Sequence, residues 1–396
     1  MLKKEKTLTK TKALDPATEA VEEIELLMDK KGFLNAGKPV FDRLFGRDSL
    51  IASWQLLDWN PSVARATLEI LSELQGTKVD LKREEEPGKI IHETDFRLKE
   101  HPGIKGFPFP YYGSVDSTPL YLIVFGFYFR KTHDEKFLAE HWTNILSAVD
   151  WMEGYGDMDG DLFLEYSQHN KHALLNQCWK DSAEYRIEKP IAIVEAQGYE
   201  YLALKESSRL ARIMGDSILA KKLEDRAEKL KVIFNEKFWM KEEKFFALAL
   251  DGKKKQKKVI ASNVGHLLFT GIIDDRKTDL VVRRLFKKDL FTPRGIRTHS
   301  SYEPDFSPES YHLGSVWPHD NWIIAQGLKK LGYKKEYRAL RFAIMKAHEE
   351  IGFLPEFYRV KDNHISLKST NPKYPDMPCY PQAWSSGTLL NFLEEK

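Results

Sequence analysis

At 396 residues and a net charge of +2, the chain is long enough to bury a sizeable core in one or two domains, and too weakly charged to draw nucleic acid or an anionic membrane surface. Its longest apolar run, Pro119 to Phe129, falls short of the roughly 20 residues that a membrane span needs, and the basic stretch Met1 to Leu14 lacks the apolar segment of a secretory signal. Two cysteines, Cys178 and Cys379, fit a reducing compartment rather than a disulfide framework, so the expectation is a soluble cytoplasmic protein.

After a flexible basic arm over residues 1–14, Asp15-Pro16 opens a first helix to about Lys30, with Asp as cap and Pro at its first position. Arg47 to about Asp58 is apolar nearly all round. Asn60-Pro61 starts a third helix, ending at Gly76, with Val63, Thr67, Ile70, Leu71 and Leu74 on one stripe. A helix buried on every side followed by an amphipathic one reads as an inner and outer pair. The pairing recurs: Ser117-Thr118-Pro119 opens an apolar helix to about Arg130, and an amphipathic one follows to about Glu153. Pro190 opens a helix to about Ile213, and Asp216 starts its partner, striped by Leu219, Leu223, Ala227, Leu230 and Phe234. Ala261 to Thr270 pairs with Arg276 to Phe286, and Gly314 to Leu331 with Lys334 to Glu350. Pro381 to Glu394 returns to pair with the first helix of the chain.

Twelve helices alternating inner and outer predict an all-α fold, an (α/α)6 toroid occupying residues 15–396 as a single domain, with minor β-hairpins in the loops. Inner-to-outer connections are short, whereas outer-to-inner ones are long: 77–117, 155–189, 240–260, 287–313 and 351–380. Long connections in a compact domain are functional or disordered, and the aromatic and Gly/Pro content of these favours function. All of them are expected at one rim, over the N-termini of the inner helices, whose free N–H groups suit oxygen-rich ligands.

That rim collects the unusual residues. Asp181, in Asn176-Gln177-Cys178-Trp179-Lys180-Asp181-Ser182, and Glu356, in Leu354-Pro355-Glu356-Phe357-Tyr358, are isolated loop carboxylates bedded in aromatics. Two such groups facing one another are what glycoside hydrolysis requires: an acid for the departing oxygen and a carboxylate for water or for the sugar itself. The acid must hold a proton near neutrality, which desolvation beside Trp179 favours and an inward-pointing Lys180 opposes. Candidate sugar contacts on the same rim are Arg47, Asp48, Tyr112, Asp116, Gln177, Trp179, Trp317, His319, Asp320, Trp322 and Trp384.

Asp157-Met158-Asp159-Gly160-Asp161 begins like a calcium loop, but Leu162 stands at the Gly position and Gln168 at the closing Glu; a tight turn into a strand over Leu162 to Tyr166 is expected instead. His169 and His172 have no convincing cysteine partners, and no P-loop, dinucleotide fingerprint or Gly-x-Ser-x-Gly elbow is present. Neither a metal nor a cofactor is expected. Lys253-Lys254-Lys255 reads as a solvated loop tip.

With these residues in view the chain resembles the six-hairpin α-glycosidases, closest to the amylo-α-1,6-glucosidase (glycogen debranching) type catalytic domain and the related glycoside hydrolase family 63. The resembling segments are Phe45 to Ser49, Glu85 to Ile90, Tyr111 to Asp116, Asp157 to Tyr166, Trp179 to Ser182, Ser315 to Trp322 and Leu354 to Glu356. The resemblance implies an inverting mechanism with Asp181 as general acid, Glu356 as general base, and Arg47 and Asp48 holding the sugar. Debranching relatives commonly carry a further N-terminal domain, and this chain begins almost at the toroid, so a small α-glucoside or α-gluco-oligosaccharide is the expected substrate. The alternatives are a mannosylglycerate or glucosylglycerate, with Arg294, Arg297, His299 and Tyr302 as candidates for contacting the acidic aglycone, and a non-catalytic sugar-binding toroid. A sugar isomerase using His319 as base is a further rival.

Overall fold

The computed structural model describes residues 15–184, 186–374 and 377–394. The predicted arm at 1–14 lies outside them. Among the described residues thirteen α-helices follow in order: α1 (Pro16–Leu27), α2 (Gly46–Gln55), α3 (Pro61–Glu73), α4 (Ser117–Thr132), α5 (Glu135–Glu140), α6 (Trp142–Glu153), α7 (Val194–Ile213), α8 (Ser217–Lys237), α9 (Leu267–Thr270), α10 (Asp275–Leu285), α11 (Pro318–Lys330), α12 (Lys334–Ile351) and α13 (Ala383–Glu394). A 3-10 segment, Ser262–His266, runs directly into α9.

Six of these elements contact one another in a closed cycle. α2 packs on α4, α4 on α7, α7 on the 3-10/α9 unit, that unit on α11, α11 on α13, and α13 back on α2. Each carries an outer partner: α3 on α2, α6 on α4, α8 on α7, α10 on the 3-10 segment, α12 on α11, and α1 on α13. Burial follows the predicted division. α4 and α7 are buried along nearly their whole length, whereas α3 and α8 bury one stripe, Val63, Thr67, Ile70 and Leu71 in the first and Ala220, Leu223, Ala227, Leu230 and Phe234 in the second. Caps set the outer helices' starts: Asn60 accepts from the Ser62 N–H, Asp134 from Phe137, Asp216 from Leu219 and Asp274 from Arg276. Gly215 and Gly332 turn two of the short connections at φ of 82° and 81°, a conformation that a Cβ penalises. No helix among the described residues is long and apolar enough to cross a membrane.

The long connections carry short strand pairs, such as Leu44–Phe45 with Glu93–Thr94 and Arg359–Lys361 with His364–Ser366. Five local expectations are corrected. Residues 190–193 are extended, because Ala192–Ile193 pairs with Ala249–Leu250, so α7 starts at Val194. The fourth inner helix is half 3-10: a Cβ on Gly265 would lie 2.5 Å from Ile324 of α11, and that close approach requires a poor helix former. The outer helix predicted to reach Glu153 breaks at His141, whose backbone N–H and ring Nδ1 both contact the Phe137 carbonyl. Leu162 to Tyr166 forms no strand beyond an isolated bridge from Tyr166 to Ile191. Of the lysine run, Lys253 and Lys255 are solvated as expected but Lys254 is not, for its ammonium bonds Asp159 at 3.0 Å, Asp161 at 2.8 Å and Glu165, occupying the centre of the acidic turn itself.

Candidate active site

Gly46 allows α2 to begin against the rim, since a Cβ there would sit 2.2 Å from the Ile91 carbonyl. The next residue, Arg47, is thereby driven into the molecule, 3% exposed. Its Nη1 donates to both carboxylate oxygens of buried Asp116 at 3.0 Å, and its Nη2 donates to Asp181 at 3.0 Å. Asp116, just before α4, is itself held by the Ser114 hydroxyl at 2.6 Å. Asp181 keeps a quarter of its side-chain surface accessible. Lys180 points the other way, its ammonium 2.5 Å from the Thr298 carbonyl and 5.0 Å from the centre of the Trp179 ring. It does not oppose a raised Asp181.

Glu356 lies across the same cavity. The Tyr311 hydroxyl donates to its Oε1, and the Cys379 N–H donates to its Oε2 at 3.1 Å. The segment that supplies Tyr311 also fixes the loop of Asp181. Glu184 accepts from the His312 N–H at 2.9 Å and from the Ser310 hydroxyl, and His312 Nδ1 lies 2.8 Å from the Ser182 hydroxyl. One loop therefore positions both carboxyls.

The cavity measures about 340 Å³ and is lined by Arg47, Asp48, Trp179, Asp181, Trp317, Glu356 and Trp384 among the expected residues. Trp179 and Trp317 meet edge to face at 5.6 Å, and Trp317 and Trp384 at 6.1 Å, giving an aromatic wall. Burial is the largest influence on every carboxyl here. It pushes Asp181 up to about 6 against the pull of Arg47, Glu356 up to about 7 against the bonds from Tyr311 and Cys379, and Asp48 up to about 7 against Arg47.

The remaining expected contacts do not line this cavity. Asp116 stands behind Arg47. His319 is fully buried and stacks on Trp384 at 3.7 Å. Asp320 pairs with His266 at 2.7 Å, Gln177 is buried and accepts from the Val115 N–H through its backbone, and the Tyr112 hydroxyl donates to the Leu74 carbonyl. Trp322 packs on Trp54 at 4.6 Å and donates to Asn391. Trp54 lines a different hollow, formed with Phe127, Tyr201 and Phe269 from the far turns of the inner helices. Among the lining residues that sequence reasoning passed over are Tyr311 and the buried pair Arg43–Glu93, 2.5 Å apart. Arg43 lies just ahead of the Phe45 to Ser49 segment, and Glu93 sits opposite Phe45 in the strand pair, which is the signal that a register argument would have used.

Residues 128–363, more than half of the chain, match the family described as the mannosylglycerate hydrolase MGH1-like glycoside hydrolase domain. A mannosylglycerate hydrolase from Rubrobacter radiotolerans is 27% identical over 184 residues, which cover 45% of this chain and 41% of that protein. The matched part thus spans less than half of the relative's length. Among solved structures, the GH63 mannosylglycerate hydrolase of Thermus thermophilus in complex with glucose superposes with a TM-score of 0.74 at 16% identity, covering 96% of this chain and all of that one. The same enzyme with Tris and D-glycerate gives 0.71 at 15% identity over the same shares. The chains share a fold.

Proposed function

We propose, for a chain that belongs to the MGH1-like glycoside hydrolase family, that it cleaves the glycosidic bond of a small α-glycoside with inversion, on an (α/α)6 toroid. The observation that carries this reading is the opening of Asp181 and Glu356 onto one aromatic-walled cavity, each drawn well above the ordinary carboxylate range by burial.

In this mechanism Asp181 gives its proton to the departing oxygen while Glu356 takes one from the attacking water on the opposite face of the sugar. Arg47 orients Asp181 through Nη2 and remains charged because Asp116 neutralises it from behind. Tyr311 and the Cys379 N–H each occupy one lone pair of Glu356, and a carboxylate has further lone pairs to offer water. Trp179, Trp317 and Trp384 supply faces for the sugar ring, and Asp48 accepts from its hydroxyls. The productive state carries one proton on the pair, resting on Asp181.

A panel of α-glucosides, α-mannosides, α-gluco-oligosaccharides and the two glycosylglycerates, followed by release of reducing sugar, tests the reading. Turnover of at least one member, abolished in Asp181→Asn and Glu356→Gln, is expected. Saturable binding with no release from any member would make the protein a sugar-binding toroid instead.

A further inference from the structure

The geometry points to a leaving group that is apolar and uncharged, seated in the outer half of the cavity; this rests on the glycosidase reading above. Besides the two carboxyls, the cavity is lined by Phe41, Phe107 and Leu174 and by Val40, Ile104 and Met377. These three are 62%, 39% and 52% exposed, large apolar groups facing solvent at the mouth of a site. Exposed apolar surface continuous with a binding cavity marks what the ligand covers.

Charge argues the same way. Among the described residues, the lining cations other than imidazoles are Arg43 and Arg47. Arg43 is engaged by Glu93 and the Val40 carbonyl, and Arg47 by Asp116 and Asp181. Burial drives His92 and His312 well below the ordinary imidazole range, and His101 more mildly below it, so these rings are neutral. Among the described lining residues, an acidic aglycone would meet Asp48, Glu93, Asp181 and Glu356 with no cation beyond these two paired arginines. The residues that the sequence offered for such an aglycone are engaged elsewhere and do not line the cavity: Arg294 pairs with Glu350, Arg297 donates to the Val360 carbonyl, and His299 contacts Asp305. Tyr302 is exposed outside it.

The test is kcat/KM on methyl, butyl and octyl α-D-glucopyranosides and α-D-mannopyranosides, set against glucosylglycerate and mannosylglycerate. With the cognate sugar, kcat/KM should rise roughly two- to fourfold per methylene over the first carbons, and the glycosylglycerates should trail the butyl glycoside. The double change Ile104→Ser, Met377→Ser alters only partly exposed side chains; it should flatten the chain-length series, lowering kcat/KM on the octyl glycoside several-fold more than on the methyl glycoside. Equal rates for methyl and octyl, or glycosylglycerates ahead of both, would overturn the inference. Should no glycoside be cleaved, calorimetry still decides: tighter binding of octyl than of methyl glycoside keeps the apolar subsite and removes the glycosidase, whereas equal binding removes the subsite.

Discussion

The hydroxyl of Tyr311 donates to Oε1 of Glu356, and the residues on either side of Tyr311 hold the turn that follows Asp181. The bond favours the ionised form of Glu356 and so raises the share of the pair that holds its single proton on Asp181, the minor of the two singly protonated forms with Glu356 at about 7 and Asp181 at about 6. Tyr311→Phe removes it without emptying the site. Glu356 then titrates higher, less of the enzyme holds its proton on Asp181, and kcat falls by about tenfold with the alkaline limb of the profile moved up by as much as about one pH unit. A kcat lowered without any movement of that limb would make Tyr311 a packing residue only.

The proposed acid and base are expected to set the pH profile of the parent enzyme. Asp181 is pushed up to about 6 and Glu356 to about 7. Below about 6 both carboxyls are protonated and the base is lost; above about 7 both are ionised and the acid is lost. A narrow bell in kcat/KM with its maximum between those values is expected, and the two limbs belong to the pair rather than to either residue. A profile flat from about pH 5 to about pH 9 would separate these carboxyls from the rate.

Substrates with a leaving group that needs no proton separate the two roles. On an α-glycosyl fluoride, Asp181→Asn should retain activity within about tenfold of the parent, while losing on the order of a thousandfold or more on ordinary glycosides. Glu356→Gln should fail on both. The opposite pattern would exchange the assignments.

Two tryptophans at the start of inner helices give a further contrast. Trp384 lines the cavity, whereas Trp322 packs on Trp54 and donates to Asn391. Trp384→Phe is expected to raise KM several-fold. Trp322→Phe should leave KM unchanged and lower stability by about 1–2 kcal/mol in thermal unfolding.

Helix pairing was legible because burial leaves a period in the sequence: α4 reads apolar on all sides and α8 on one stripe, and each took its predicted place. Asp181 and Glu356 were legible as lone carboxylates among aromatics in long loops. What stayed hidden depended on contacts between distant segments. Tyr311 acquires its meaning from a residue 45 positions away and Arg43 from one 50 positions away, and neither spacing leaves a local trace. Trp322, His319 and Asp320 lie in the first turns of α11 as expected, but which side of a helix meets a cavity depends on its rotation within the ring. The break at Gly265 was local in cause, yet the need for a glycine there comes from Ile324 on another helix.

The most direct test of the central claim, that Asp181 and Glu356 act as an inverting acid and base, is proton NMR of the sugar released in the first minutes of turnover, before mutarotation equilibrates it. The β-anomer is expected to appear first from an α-glycoside. An α-anomer at the outset would mean that a carboxylate attacks the sugar itself, and the inverting assignment would be wrong.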